Sequence, residues 1–386
     1  MISETIGIKN YSFKNRSAKT LTDLNNFDTK PSILRAKSKV EIRKVITRKL
    51  GNSVCEFITN HLHGFRLQEV LLFDSFYKDE ILSQPKKVFN SIVNLSDVND
   101  YRRINKFFET INSKLPDEGV FINSFVPYDI RKKKFLERFP KPLSRVLYLG
   151  DFIFHRILPK LKLTKKLYFR MTKGRSRVLT KTEVFGRLYS CGFDLLEEKI
   201  IDNKLYFVAK KIGTPSYDPS PTYGPLISLK RVGKNGKRIN VYKLRTMHPY
   251  SEYLQKYIFE RNNLRKGGKI NNDFRISNVG RLFRKYWIDE LPMILNLFKG
   301  DLKLVGGRPL SEHYFSLYSQ ELREKRIKFK PGLIPPFYAD MPETLEGIME
   351  SEMRYLEAYE KQPLKTDIIY LSKIFGNILF KGKRSL

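Results

Sequence analysis

Polar and apolar positions alternate in two different rhythms along the first 215 residues. Ser91 to Leu95 (SIVNL) and Gly119 to Phe125 (GVFINSF) are short apolar runs that predict buried strands. Between them, Val98 to Leu115 places Ile104, Phe107, Phe108 and Ile111 on one face and predicts a helix. Strand, helix and strand in that order are a βαβ rhythm. Lys181 to Ser190 predicts a further helix, and Leu195 to Lys211 a hairpin turning at Asp202-Asn203. The first fifty residues are basic and show no clear period, and no internal repeat is visible at roughly 20 to 50 residues.

Periodicity stops at Ile212 to Tyr223 (IGTPSYDPSPTY), where Pro, Ser, Thr and Gly cluster as in a linker. The chain therefore divides into residues 1–215 and 216–386. In the second part, YKLRTM reads as strand, with Lys243 and Arg245 at alternate positions and so on one face. Asp289-Glu290 precede Leu291-Pro292 and the apolar run MILNLF, closed by Gly300, which predicts a helix with Pro in its first turn and Gly at its end. Both carboxylates then stand at a helix N-terminus. The dipole there favours the ionised form by about 0.3–1 kcal/mol, as a nucleophile or a metal ligand requires. Arg284 offers a planar fork suited to phosphate. Gly306-Gly307-Arg308-Pro309 offers backbone N–H groups beside another guanidinium. Asp301 reads either as a second acidic support for a metal or as a turn residue, and the run DIIYLSKIFGNILFKGKRSL as an amphipathic helix facing a membrane, a partner or the core.

Charge narrows the partners. The 386 residues hold 73 Lys and Arg against 40 Asp and Glu, a net charge of +33, and the stretch from Ile130 to Arg177 is strongly basic with scattered aromatics. Such a balance implies anionic partners: nucleic acid, an anionic membrane surface or phosphorylated substrates. No helix-turn-helix, zinc-finger or RNA-binding aromatic motif is present, so nucleic acid is the least supported of the three. Cys55 and Cys191 are the only cysteines and have no metal spacing, which excludes a disulfide framework and a structural zinc site. The longest stretch without Asp, Glu, Lys or Arg, Pro219 to Leu229, contains three prolines and is far short of the ~18–20 apolar residues of a membrane-spanning helix. The N-terminus lacks the apolar core of a signal peptide, so a cytoplasmic location is expected.

Two resemblances sharpen this picture. IVNLSDVNDYRRINKFFETINSKLPDEGVFINSF and TKTEVFGRLYSCGFDLLEEKIIDNKLYFVAKK resemble the later strand–helix units and closing hairpin of class I methyltransferase-like domains. The glycine-rich turn and strand-end acidic residue of a methyl-donor site are not found before Ser91, which implies a degenerate, Rossmann-like, non-catalytic domain. An active methyltransferase remains the alternative.

The series GPLISLKRVGKNGKRINVYKLRTM, DFRISNVGRLFRKYWIDELPMILNLFKGDLKLVGGRP and KFKPG resembles the bacterial sugar transferases, the monotopic phosphoglycosyl transferases. The resemblance covers nearly all of residues 224–386. It implies a compact α+β catalytic domain that moves a sugar 1-phosphate from a nucleotide diphosphate sugar to undecaprenyl phosphate. It further implies Asp289 as nucleophile, Glu290 as base or metal partner, and Mg²⁺ on Asp289. Arg284, Arg308, Lys243, Arg245, Gly306 and Gly307 would bind the phosphates. Two departures stand out: Gly306-Gly307-Arg308-Pro309 replaces the usual GPRP, and KLYFVAKKIGTPSYDPSPTY stands where the family places a helix that enters the membrane and returns. Peripheral attachment at the cytoplasmic face of the inner membrane, through basic surface and apolar side chains, is therefore expected. A second copy of the chain or other glycan-assembly enzymes are further expected partners. An inactive scaffold and a basic nucleic-acid-binding protein are the alternatives to an enzyme.

Overall fold

The structure, a computed structural model, describes residues 33–34, 38–74, 81–217, 224–261 and 273–380. The amino-terminal half contains β1 (Ile33–Leu34), α1 (Lys39–Leu50), α2 (Asn52–His61), β2 (Val70–Phe73), β3 (Ser91–Asn94), α3 (Ile104–Lys114) and β4 (Val120–Phe125). It continues through α4 (Tyr128–Arg138), α5 (Leu143–Phe152), α6 (Lys162–Thr172), α7 (Lys181–Ser190), β5 (Phe193–Ile201) and β6 (Lys204–Lys211). The six strands form one sheet in the order β1-β2-β3-β4-β6-β5. Its centre, β2 to β4, is parallel. The last strand, β6, enters antiparallel between β4 and β5.

Both faces of the centre of this sheet are covered, so β2, β3 and β4 are buried along almost their whole length, whereas the edge strand β5 alternates buried apolar and exposed charged residues only in part. Successive residues go to opposite sides: Leu71, Ile92 and Phe121 pack with α3 and α7, while Leu72, Val93 and Ile122 pack with α1 and α2. Phe121, fully buried, meets Phe107, Phe108, Phe193 and Phe207 with ring centroids 5.8–6.0 Å apart. Such tilted and edge-on pairs add about 0.5–1.5 kcal/mol each beyond area burial. The helix expected from Val98 begins only at Ile104. The Asn99 side chain holds Val126 N–H, Val126 C=O and Arg177 C=O, which fixes residues 98–100 as a separate turn. In the first fifty residues, α1 is capped by Ser38, whose hydroxyl accepts from Glu41 N–H at 3.1 Å.

The carboxy-terminal half contains β7 (Leu226–Val232) and β8 (Arg238–Leu244), α8 (Gln255–Arg261), α9 (Asn278–Lys285), the 3-10 turn Ile288–Met293 and α10 (Ile294–Phe298). After these come β9 (Lys303–Val305), α11 (Glu312–Ser316), α12 (Gln320–Ile327), β10 (Gly332–Ile334), α13 (Phe337–Asp340), α14 (Leu345–Lys361) and α15 (Pro363–Phe380). β7 and β8 form an antiparallel hairpin, and β9 and β10 a parallel pair. The chain is thus mixed α/β throughout.

The two halves are packed together. Leu254, Tyr257 and Ile258, beyond the linker segment, lie within the core of the large sheet. Asn105 Nδ2 donates to the Tyr250 hydroxyl at 2.7 Å, and Arg187 lies over the Tyr250 ring at 4.4 Å. Gly186 leaves room for this contact: a Cβ there would stand 2.2 Å from the Tyr250 carbonyl oxygen.

Candidate active site

Lys243 is the penultimate residue of β8, and the turn Ile288–Met293 lies directly against that strand. The chain enters the turn through Trp287, at φ 54°, whose ring meets Tyr338 edge-on at 5.9 Å. Asp289 and Glu290 follow in the first turn of a 3-10 helix, and the α-helix begins only at Ile294, which corrects the expected start of the helix. Pro292 has no N–H to donate, so a regular helix running through it from Ile288 would lose a bond, and the α-helix begins only beyond it.

Buried Asn296 ties this segment to the strand. Its Oδ1 accepts from Tyr242 N–H at 3.0 Å, and its Nδ2 donates to Asn240 C=O at 2.7 Å and to Asp301 Oδ2 at 3.2 Å. Asp301 N–H in turn donates to Asn296 C=O at 3.0 Å, so Asp301 braces the end of α10. Sequence reasoning passed over Asn296; a lone amide within the apolar run MILNLF is the signal that marks it, since a buried amide requires partners.

The strand and the turn meet at an ion pair. Lys243 Nζ donates to Glu290 Oε1 at 2.6 Å, with the two side chains 17% and 20% exposed. Half-buried Asp289 is held above its ordinary value, first by burial and then by the charge of Glu290, against the pull of Lys243 and Arg284. Arg284, near the end of α9, donates from Nε to Thr246 Oγ1 at 3.0 Å; burial lowers its pKa and the Asp289 charge opposes that. α9 sits flush on Thr246. Thr246 C=O accepts from Ser277 N–H at 3.0 Å and from Ser277 Oγ at 3.1 Å, and a Cβ on Gly280 would fall 2.0 Å from the same oxygen.

Lys243, Asp289, Glu290 and Arg284 are thus brought together. Arg245 lies just past the end of β8 and is used differently: its N–H donates to Pro225 C=O at 2.6 Å and its Nε to Gly224 C=O at 3.0 Å. Arg308 is exposed, and its charge acts on Arg284 and Arg231. Its carbonyl accepts from Arg326 Nη2 at 2.5 Å, and Arg326 is paired with buried Glu352. The expectation for Gly306 requires correction. Its N–H donates to Ile334 C=O at 3.1 Å and is not left for an anion. A Cβ on Gly332 would lie 2.1 Å from Gly306 N, so these glycines serve the close approach of β9 and β10. Gly307 lies beside that crossing, where its C=O accepts from Gly332 N–H at 2.9 Å.

The segment bearing the carboxylates also presents apolar surface: Leu291, Leu295 and Phe298 are 56%, 51% and 86% exposed. Among the described residues no helix is long and apolar enough to cross a membrane. No group of three or more His, Cys, Asp or Glu among them is placed to hold a metal. Mg²⁺, however, is commonly bound by one or two carboxylates together with substrate phosphates. Asp289 and Glu290 offer that donor set, which fits an ion arriving with a diphosphate.

The family model of the bacterial sugar transferases matches residues 220–381. A galactosyl transferase of Streptococcus agalactiae is 38% identical over 112 residues, 28% of this chain and 25% of that protein. An undecaprenyl-phosphate galactose phosphotransferase of Salmonella typhimurium is 36% identical over 116 residues, 28% of this chain and 24% of its own length. A UDP-N-acetylgalactosamine-undecaprenyl-phosphate N-acetylgalactosaminephosphotransferase of Aeromonas hydrophila is 33% identical over 167 residues, 40% of this chain and 36% of its own length. The chain spans about a quarter to a third of these relatives. Lys243, Arg284, Asp289 and Glu290 all lie within residues 220–381, the segment that matches the bacterial sugar transferase family.

Proposed function

We propose that this chain is a phosphoglycosyl transferase that moves a sugar 1-phosphate from a nucleotide diphosphate sugar to undecaprenyl phosphate, starting an exopolysaccharide, capsule or O-antigen type glycan. The observation that carries this reading is the half-buried Asp289, flanked by Arg284 and by the Lys243–Glu290 pair. A carboxylate oxygen of Asp289 attacks the phosphorus that bears the sugar. An Asp–O–P bond forms, the diphosphate P–O bond breaks, and nucleoside monophosphate leaves with the bonding electron pair. An oxygen of undecaprenyl phosphate then attacks the same phosphorus, which frees Asp289 and yields the polyprenyl diphosphate sugar. Glu290 accepts the proton of a singly protonated acceptor and gives it up to solvent before the next turnover, with Lys243 positioned against its carboxylate. Arg284 and Arg308 neutralise the phosphoryl oxygens, which is most of what such a transfer asks of a protein. Mg²⁺ held by Asp289 and the diphosphate would add further neutralisation and orientation. The exposed Leu291, Leu295 and Phe298 suit an acceptor with an apolar tail.

Division into residues 1–215 and 216–386 and a degenerate methyltransferase-like first domain belong to the same proposal. A parallel core closed by an antiparallel hairpin, with the last strand inserted next to β4, supports that domain reading. The test is turnover with undecaprenyl phosphate and a panel of nucleotide sugars, with Mg²⁺ and with a chelator. Nucleoside monophosphate release that requires acceptor and Mg²⁺ is expected. No release with any donor would leave the inactive scaffold standing.

A further inference from the structure

Between β4 and α7 the chain leaves the sheet for some fifty residues, and this excursion combines charge and exposed apolar surface as no buried element does. Asn99 clasps both of its ends, donating to Val126 C=O at 3.0 Å and to Arg177 C=O at 2.7 Å. Residues 128–177 contain sixteen Lys and Arg against three Asp and Glu, a net charge of +13 out of +33 for the whole chain. α4 has no buried residue, and in α5 only Ser144 is buried.

The exposed apolar residues are ordered. Leu143, Val146, Leu147, Ile153 and Ile157 run along α5 and the turn that continues it, at spacings that place them on one side of a helix. On α6, Leu163, Leu167 and Met171 are 95%, 61% and 63% exposed and recur every four residues. Exposed Lys166 and Arg170 directly precede Leu167 and Met171, so basic side chains run beside the apolar stripe. The opposite side of α6 is pinned by Tyr168, whose hydroxyl lies 3.1 Å from His155 Nδ1. α4 and α5 are fixed to each other by the Arg131–Asp151 pair, with Nε to Oδ2 at 2.7 Å. The apolar stripe is therefore held outward by the packing behind it.

We infer that residues 143–171 form a membrane-docking surface that inserts its apolar stripe into the headgroup region of an anionic bilayer while the flanking Lys and Arg bind lipid phosphates. Apolar side chains bordered by cations are the combination an interfacial helix requires, and a net +13 selects an anionic surface. Exposed apolar residues ordered into stripes along two helices and bordered by polar side chains mark an interaction surface. The inference rests on the proposed function only in that a lipid-borne acceptor calls for membrane contact; the surface stands on its own geometry.

The test is co-sedimentation of the full chain with vesicles of phosphatidylglycerol and phosphatidylcholine, compared with phosphatidylcholine alone. Wild-type protein should bind the anionic vesicles at least tenfold more tightly. Leu163→Ser combined with Leu167→Ser, and separately Lys166→Glu combined with Arg170→Glu, should each weaken that binding at least tenfold. Turnover with detergent-solubilised acceptor should stay unchanged, because none of these side chains is in the site. An unaltered thermal melt shows that the variants fold. Variants that bind vesicles like wild type would overturn the inference and shift attention to the exposed apolar residues of α15. A wild-type dimer that the leucine variant dissociates, with no vesicle binding, would overturn it in favour of a second copy of this chain. No turnover by the wild type in detergent would count against the proposed function, while the vesicle-binding comparison would still decide the docking surface.

Discussion

Gly280→Ala is the sharpest test of how the site is assembled. A methyl group there would begin 2.0 Å from Thr246 C=O, whereas ordinary contact starts at 3.4 Å, so α9 and Thr246 must separate by about 1.4 Å. That carbonyl is the acceptor for Ser277 N–H and Ser277 Oγ, and Thr246 Oγ1 is the acceptor for Arg284 Nε. The wedge thus acts on three hydrogen bonds at once and shifts Arg284 relative to Asp289. Overpacking of this kind costs about 1–3 kcal/mol of stability. A displacement near 1 Å in a positioning group costs on the order of a hundredfold in rate. The assay is nucleoside monophosphate release at saturating acceptor, with thermal melts to confirm folding. Activity about a hundredfold below wild type is expected. A Gly280→Ala protein within threefold of wild type would refute the claim that the seating of α9 on Thr246 sets the Arg284 geometry.

Other consequences can be checked in the same assay. Burial and Glu290 raise Asp289 above its ordinary value, so the acid limb of kcat/KM should lie above that of an unperturbed aspartate; Lys243→Met removes a charge that favours the carboxylate and should move the limb to higher pH. A limb that stays put or moves down would contradict this assignment. Asn296→Ala leaves Tyr242 N–H and Asn240 C=O without their partner, and should cost about 2–4 kcal/mol and slow turnover more than Asp301→Ala does, as read by melts and initial rates. Phe121→Ala should lower stability by about 3–5 kcal/mol in denaturant melts, since four aromatic rings lose their common neighbour.

The sequence discloses these parts unevenly, for physical reasons. β3, β4, α7 and the β5–β6 hairpin were legible because each lies between two core faces or pairs locally, so periodicity and turn residues suffice. α1 was missed although Ser38 and Glu41 form a capping pattern, because its surroundings are uniformly basic and mask a weak period. The pairing of β9 with β10 joins residues about thirty positions apart, and no local pattern reveals it. For that reason Gly306 read as an anion contact when its N–H belongs to that pairing. Asp289, Glu290, Lys243 and Arg284 were singled out by charge and spacing, and the fold brings them together. Arg245, in the same stretch of sequence, is turned to Gly224 because β8 ends at Leu244. The basic stretch from Ile130 to Arg177 showed its charge in the sequence, but only packing reveals which apolar residues face outward.

The most direct measurement is intact and peptide mass spectrometry of the full chain after incubation with nucleotide sugar and no lipid acceptor. The account predicts a sugar-phosphate mass on the peptide containing Asp289, discharged on adding undecaprenyl phosphate and missing from Asp289→Asn, which should also release no nucleoside monophosphate. An adduct on another residue, or full turnover by Asp289→Asn, would contradict it.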